Sequence, residues 1–137
     1  MVRNKVDGIH YALKQINLKD LQFLTEKDRK NAENEVQFLK VLVGPTLIKS
    51  YENFIENNNI YIVMEYAEGG SLADLIQKKY IQGKKFEYEE IMMIMAQITL
   101  GVMSIHSKNI LHRDIKTQNI FITKDNILKI GDFGISR

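Results

Sequence analysis

The 137-residue chain contains no cysteine. That removes disulfide frameworks, thiolate zinc sites and a cysteine nucleophile, and it fits a reducing compartment. Pro45 is the single proline, so no proline-rich linker divides the chain. There is little net charge: 19 Lys+Arg against 17 Asp+Glu leaves +2. So weak a balance gives no reason to invoke nucleic acid or an anionic membrane as partner. The opening Met1-Val2-Arg3-Asn4-Lys5 lacks the apolar core of a signal peptide. The most apolar stretch, 91–105, is broken by Gln97, Thr99 and Ser104 and is short for a bilayer span. There is no repeat and no low-complexity run. What is present is ordinary globular composition, 45% hydrophobic and 26% charged, at the length of one domain or a piece of one. The expectation is an intracellular, cytoplasmic globule with no nucleic-acid or membrane partner. Oligomeric state is left open.

Segments 1–6 and 9–18 flank Asp7-Gly8, a dipeptide that accepts the positive φ angles of a tight turn, and read as a hairpin. Thr25-Glu26-Lys27-Asp28 supplies a helix cap. The helix should run to about Leu42 on a stripe of Ala32, Val36, Leu39 and Leu42 or Val43, and Gly44-Pro45 ends it. Strands follow at 47–55 and 60–66, joined through Asn57-Asn58-Asn59. Ala67-Glu68-Gly69-Gly70 reads as a flexible connector. Ser71-Leu72-Ala73-Asp74 has capping spacing and opens a short helix to about Lys79. A long helix spans 88–106, with Ile91, Ile94 or Met95, Ile98, Val102 and Ile105 on its face. Short strands are expected near 110–111, 120–123 and 127–130, with a turn at Lys124-Asp125-Asn126. A β-rich part (1–66) thus joins a helix-rich part (71–137) through a connector (67–70), an arrangement suited to a ligand cleft between two lobes.

Some residues break the local pattern. Lys14 lies on the same strand face as Ala12 and Ile16. Alone, it reads as an edge lysine, or as one whose stem covers apolar surface while its head reaches water. Glu35 sits beside Ala32 and Leu39 on the apolar stripe, where a carboxylate needs a cation or solvent. Alone, it flanks the stripe and pairs with a helix neighbour; with Lys14 it makes a plausible ion pair. Leu111-His112-Arg113-Asp114-Ile115-Lys116-Thr117-Gln118-Asn119-Ile120-Phe121 is harder to dismiss. Each polar residue in it has an ordinary reading by itself. The ordered string H-R-D-x-K-x-x-N between apolar strands, with Asp132-Phe133-Gly134 downstream, does not.

These motifs resemble those of eukaryotic protein kinases. Tyr11-Ala12-Leu13-Lys14 resembles the third-strand lysine motif, Glu35 the glutamate of the following helix, His112 to Asn119 the catalytic loop, and Asp132-Phe133-Gly134 the metal-binding motif. Within the family, the catalytic loop, the Gly131-Asp132-Phe133-Gly134-Ile135-Ser136-Arg137 run and the Glu65-Tyr66-Ala67-Glu68-Gly69-Gly70-Ser71-Leu72 hinge are most similar to the NIMA-related serine/threonine kinases.

The resemblance implies an α+β, two-lobed kinase fold, partial here. It implies ATP and Mg2+ as nucleotide and metal, and a protein Ser/Thr hydroxyl as acceptor. By this resemblance Lys14 holds the α- and β-phosphates, oriented by Glu35, and Asp132 and Asn119 bind Mg2+. Asp114 accepts the substrate's proton, and Lys116 neutralises the γ-phosphate and marks the serine/threonine class. Ala12 roofs and Phe121 floors the adenine pocket. Met64 is the gatekeeper, and backbone groups of Glu65 and Ala67 pair with the base. Arg113 would meet a phosphorylated activation-loop residue. Met92, Met93, Met95 and Met103 are expected to pack. Centrosomal, cytoskeletal or ciliary association follows from the resemblance alone.

The departures are large. Among the eight glycines no G-x-G-x-x-G exists, and family register places that hairpin before Met1. The activation segment and later large-lobe helices belong after Arg137. The chain then holds about the central half of a kinase domain, the long helix should be only partly covered, and the isolated 137 residues should be inactive. A non-catalytic module that binds nucleotide or protein is the alternative. A small-molecule phosphotransferase fits Arg113, Lys116 and Phe133 less well.

Overall fold

The computed structural model describes residues 1–17, 41–57 and 59–133. The expected helix ending near Leu42, with Glu35 on it, and Gly134 to Arg137 lie outside the described residues, apart from its last turn.

The opening hairpin forms, with strand β1 (Val2–Arg3) antiparallel to β2 (His10–Asn17). β1 is shorter than the expected strand over 1–6. Asn4 Oδ1 accepts the Val6 N–H at 2.8 Å and Asp7 Oδ1 accepts the Ile9 N–H at 2.8 Å. These side chains satisfy the backbone locally, which is how Asn and Asp compete with a ladder. Gly8 takes the positive φ, at 73°.

β3 (Ser50–Glu56) and β4 (Asn59–Glu65) complete a four-stranded sheet in the order β1-β2-β4-β3. Register sets Ala12, Lys14 and Ile16 opposite Met64, Ile62 and Ile60, so all six share one face. Ile60 and Ile62 are buried there, which makes it the core face. The expected strand from 47 starts only at Ser50. Leu47 instead bridges Ile130 in parallel, the Ile130 N–H donating to the Thr46 carbonyl and the Ile48 N–H to the Ile130 carbonyl, both at 2.9 Å. Burial of Leu47 and Ile48 draws this segment away from the sheet and onto the second part of the chain. Helical backbone stops at Val41, and Leu42 at 2% exposure, not Val43 at 74%, is the residue that packs.

The remainder is helix α1 (Leu72–Ile81), helix α2 (Tyr88–His106), a 3-10 turn (Thr117–Asn119) and an antiparallel pair, β5 (Ile120–Ile122) and β6 (Leu128–Ile130). No strand forms at 110–111. Ile110 is buried there in irregular backbone and Leu111 is exposed. α1 starts where the capping spacing places it: the Asp74 N–H donates to Ser71 Oγ, and Asp74 Oδ2 accepts the Ser71 N–H at 2.8 Å.

At 19 residues α2 is long and apolar enough by composition to cross a membrane, so shortness does not exclude that. One face of it packs on the rest of the chain. Gln97 Oε1 accepts the Leu128 N–H at 2.9 Å. Gly101 is buried where a Cβ would come within 2.7 Å of Ile130 Cδ1 and 3.2 Å of the Thr46 carbonyl, so the helix approaches β6 closely. Ile105, Ile98, Ile94 and Val102 pack on this side. Ile91 and Met95, expected on it, are 46% and 54% exposed. Met92, Met93 and Met103 are likewise half or more exposed rather than packed. The partly covered helix expected from the sequence is therefore seen.

The principal core joins both parts of the chain. Leu42, Leu47, Ile60 and Ile62 from the first pack with Ile105, Ile110, Ile130 and Phe133 from the second. Each such side chain contributes about 1.5–3 kcal/mol on burial. A second cluster, Leu72, Ile120, Ile122 and Leu128, fixes α1 to β5 and β6.

Candidate active site

A cavity of about 640 Å³ lies between the sheet and the helical part. Ala12, Lys14 and Met64 line it from the core face of β2 and β4, because their register puts them on that face. Glu65 lines it from the end of β4 and Ala67 from the connecting segment, and Phe121, Gly131 and Asp132 from β5 and the residues after β6. All six residues expected to form a nucleotide pocket therefore border one space. Pattern reading missed Ile48, Ser71, Asp74 and Gln118, which also line it. Ser71 and Asp74 had a complete reading as a helix cap, which masked their second position at the cavity.

Lys14 and Asp132, 118 positions apart, meet in this space with Nζ 2.8 Å from Oδ1. Asp132 adopts φ +62°, an unusual backbone for a non-glycine residue and one held by its surroundings. Those surroundings are visible on both sides. The Gly131 N–H donates to the Asn119 carbonyl at 3.0 Å, and Phe133 is 1% exposed with its ring 4.9 Å from that of His112.

His112 organises the loop between. It is buried, and its Nε2 lies 3.0 Å from the Gly131 carbonyl while its Nδ1 accepts the Asp114 N–H at 3.3 Å. A carbonyl only accepts, so the proton sits on Nε2. Arg113, with φ +68°, turns outward between these anchors.

Asp114 is the hub of the polar cluster. Lys116 Nζ donates to its Oδ2 at 2.6 Å, and Asn119 Nδ2 donates to the same oxygen at 2.8 Å and to its carbonyl at 2.9 Å. The Lys116 hydrogen bond, then that of Asn119, hold the Asp114 carboxyl below the usual carboxylate range, against an opposing desolvation effect. Both donors occupy Oδ2, which leaves Oδ1 to accept a proton. Asn119 spends its amide nitrogen on Asp114, which leaves its Oδ1 as a neutral oxygen donor. Among the described residues no three His, Cys, Asp or Glu cluster as a metal cage. One carboxylate (Asp132) and one amide oxygen (Asn119) fit Mg2+, which takes few protein oxygens and completes its shell with water and phosphate. Glu35, the expected partner of Lys14, lies outside the described residues.

The sequence has relatives among known proteins. The family model for the protein kinase domain matches residues 1–137. The chain belongs to the protein kinase family. It is 40% identical over 137 residues to serine/threonine-protein kinase Nek1 of Mus musculus, covering all of this chain and 11% of that protein. It is 44% identical over 138 residues to serine/threonine-protein kinase Nek8 of Danio rerio, covering all of this chain and 19% of that one. The probable serine/threonine-protein kinase nek3 of Dictyostelium discoideum is 42% identical over 140 residues, at 100% and 12%. The similarity to NIMA-related kinases carried by the motifs is thus matched along the whole chain. The chain spans 11 to 19% of the length of these relatives.

The connecting segment is seated on β5 as part of this kinase core. The Gly69 N–H donates to the Ile122 carbonyl and the Ile122 N–H to the Gly70 carbonyl, both at 2.8 Å. A Cβ on Gly69 would stand 2.7 Å from that same backbone carbonyl. Gly69→Ala is therefore expected to push the segment off β5 and, if the cavity takes ATP as protein kinases generally do, to weaken its binding by about tenfold or more, as ångström-scale misplacements do. Calorimetric titration with ATP checks this, and an unchanged affinity contradicts it.

Proposed function

We propose that the protein is a serine/threonine protein kinase core that binds ATP with Mg2+ in the cavity and transfers the γ-phosphoryl group to a protein Ser or Thr hydroxyl. The observation that carries this reading is the Lys14–Asp132 contact inside a cavity bordered by Met64 and Phe121, with the Asp114–Lys116–Asn119 cluster beside it. Phosphoryl transfer asks the protein for position and charge rather than covalent chemistry. The ammonium of Lys14 meets oxygens of the α- and β-phosphates. Mg2+, when bound by Asp132 and Asn119, neutralises phosphate charge. Lys116 is placed to offset charge on the γ-phosphoryl oxygens. Asp114 Oδ1 takes the hydroxyl proton as the substrate oxygen bonds to the γ-phosphorus. The bond from that phosphorus to the β–γ bridging oxygen breaks, and ADP leaves with the electron pair.

The experiment is γ-phosphate transfer from labelled ATP to a generic basic protein by a protein that carries this chain between a glycine-rich hairpin and an activation segment. Label on Ser or Thr is the expected result. ATP binding without any transfer favours the non-catalytic module. Label on a small alcohol and on no protein favours the small-molecule phosphotransferase.

A further inference from the structure

Lys129 has no part in the chemistry above, yet its ammonium is held inside the molecule. It lies on β6 opposite Phe121 of β5, so the two side chains share a face. Phe121 floors the cavity. The Lys129 stem runs beside that floor, and its Nζ reaches Glu65 Oε2 at 2.9 Å, with side chains only 14% and 21% exposed. The pair joins residues 64 positions apart, one in each part of the chain.

Glu65 is the last residue of β4, and the connecting segment leaves from it. Its backbone borders the cavity, while its side chain lies on the opposite sheet face, with Tyr11 and Val63. Three bonds converge on this residue. Its N–H donates to the Lys49 carbonyl at 2.8 Å, and its Oε2 accepts the Lys49 N–H at 3.2 Å as well as the Lys129 ammonium. The other groups facing it are Tyr51 and Lys49. Lys49 Nζ sits 4.9 Å over the Tyr51 ring, and Tyr11 packs edge-on against Tyr51 at 5.2 Å. A part-buried ion pair of this kind adds little net stability over an apolar pair, but it ties its two elements together, and losing one partner leaves a partly desolvated charge. Here the elements fixed are the residue that presents backbone to the purine and the strand that carries the cavity floor.

We infer that Lys129 is a positioning residue for purine recognition: its ion pair with Glu65 sets the spacing between the connecting segment at the edge of the base and Phe121 beneath it. This rests on the nucleotide reading of the cavity. The phosphate-binding groups, Lys14 and Asp132, lie outside the pair. Loss of the pair should therefore weaken the base and spare the phosphates.

The test is calorimetric titration of adenosine, ATP with Mg2+, and tripolyphosphate with Mg2+ into the full chain. The variants are Lys129→Met, Glu65→Gln, the double neutral variant, and the charge swap Glu65→Lys with Lys129→Glu. Each single substitution is expected to weaken adenosine and ATP together by about tenfold, the scale at which a coupling residue acts on a site it does not touch. Tripolyphosphate affinity should not change, and the charge swap should recover most of the adenosine affinity. In activity assays the KM for ATP should rise while kcat stays within about twofold. The double neutral variant removes both charges at once, so it keeps the test standing should a single variant fail to fold; it too should lose adenosine affinity. Adenosine affinity unchanged in that folded variant overturns the inference, as does tripolyphosphate weakened equally. A wild-type protein that binds neither adenosine nor ATP overturns instead the nucleotide reading beneath it.

Discussion

Asp114→Asn is expected to lower phosphoryl transfer by about 10²- to 10⁴-fold, the range supplied by a positioned general base, while nucleotide affinity stays near the original. The geometry makes this substitution a clean one. Lys116 and Asn119 both donate to Oδ2 of Asp114. An asparagine at 114 keeps one oxygen to receive them and replaces Oδ1, the proton acceptor, with an amide nitrogen. Position survives and basicity does not. The comparison is turnover and ATP affinity of the two full-length proteins. Turnover within a factor of about three of the original removes Asp114 from the role of base.

The pH profile carries the same assignment. Lys116 above all keeps the Asp114 carboxyl below the usual carboxylate range. A group with a depressed pKa stays ionised above its unfolded value, and its contribution disappears only as pH falls through the folded one. Asp114 therefore stays ionised, ready as a base, wherever an ordinary carboxylate does, and an acid-side loss of activity near neutral pH belongs to another group.

Lys14→Met should separate base binding from phosphate binding. Lys14 Nζ is 2.8 Å from Asp132 Oδ1, in a pair with side chains 32% and 44% exposed. At that exposure the pair adds little stability by itself. Its expected importance is to the triphosphate, whose charge the ammonium meets in a partly dehydrated cleft. The variant should bind adenosine as before, lose about tenfold in ATP affinity, and lose at least about 10²-fold in turnover, comparable to removal of a preorganised charged donor. ATP affinity and turnover that match the original would remove Lys14 from the phosphate site.

Much of the fold was legible because its signals are local. The Ser71–Asp74 capping box, the 3.6-residue stripe of α2 and the Asp7-Gly8 turn each depend on residues within a few positions. Features set by tertiary contact were not. Leu47 reads as strand and is strand-like, but its partner is Ile130 and not the sheet, a choice made by burial across 83 positions of chain. Ile91 and Met95 fit the helical stripe as well as Ile94 does, and only the direction from which β6 approaches decides between them. The candidate site shows the same division. Lys14 alone reads as an edge lysine and is singled out only together with the His112 to Asn119 string, which stands out as polarity between apolar segments. Lys129 gave no signal, because a lysine on a short strand next to a turn reads as solvated; its partner Glu65 stands 64 residues away.

The central claim is that Lys14 and Asp132 converge on a site for ATP with its metal. Titrating ATP into the protein with and without Mg2+, beside the Asp132→Asn variant, tests it most directly. The predicted result is that Mg2+ tightens ATP binding to the wild-type protein, that Asp132→Asn loses this gain, and that adenosine binds both alike. ATP affinity indifferent to Mg2+ in the wild-type protein, or a full Mg2+ effect in Asp132→Asn, would contradict the account.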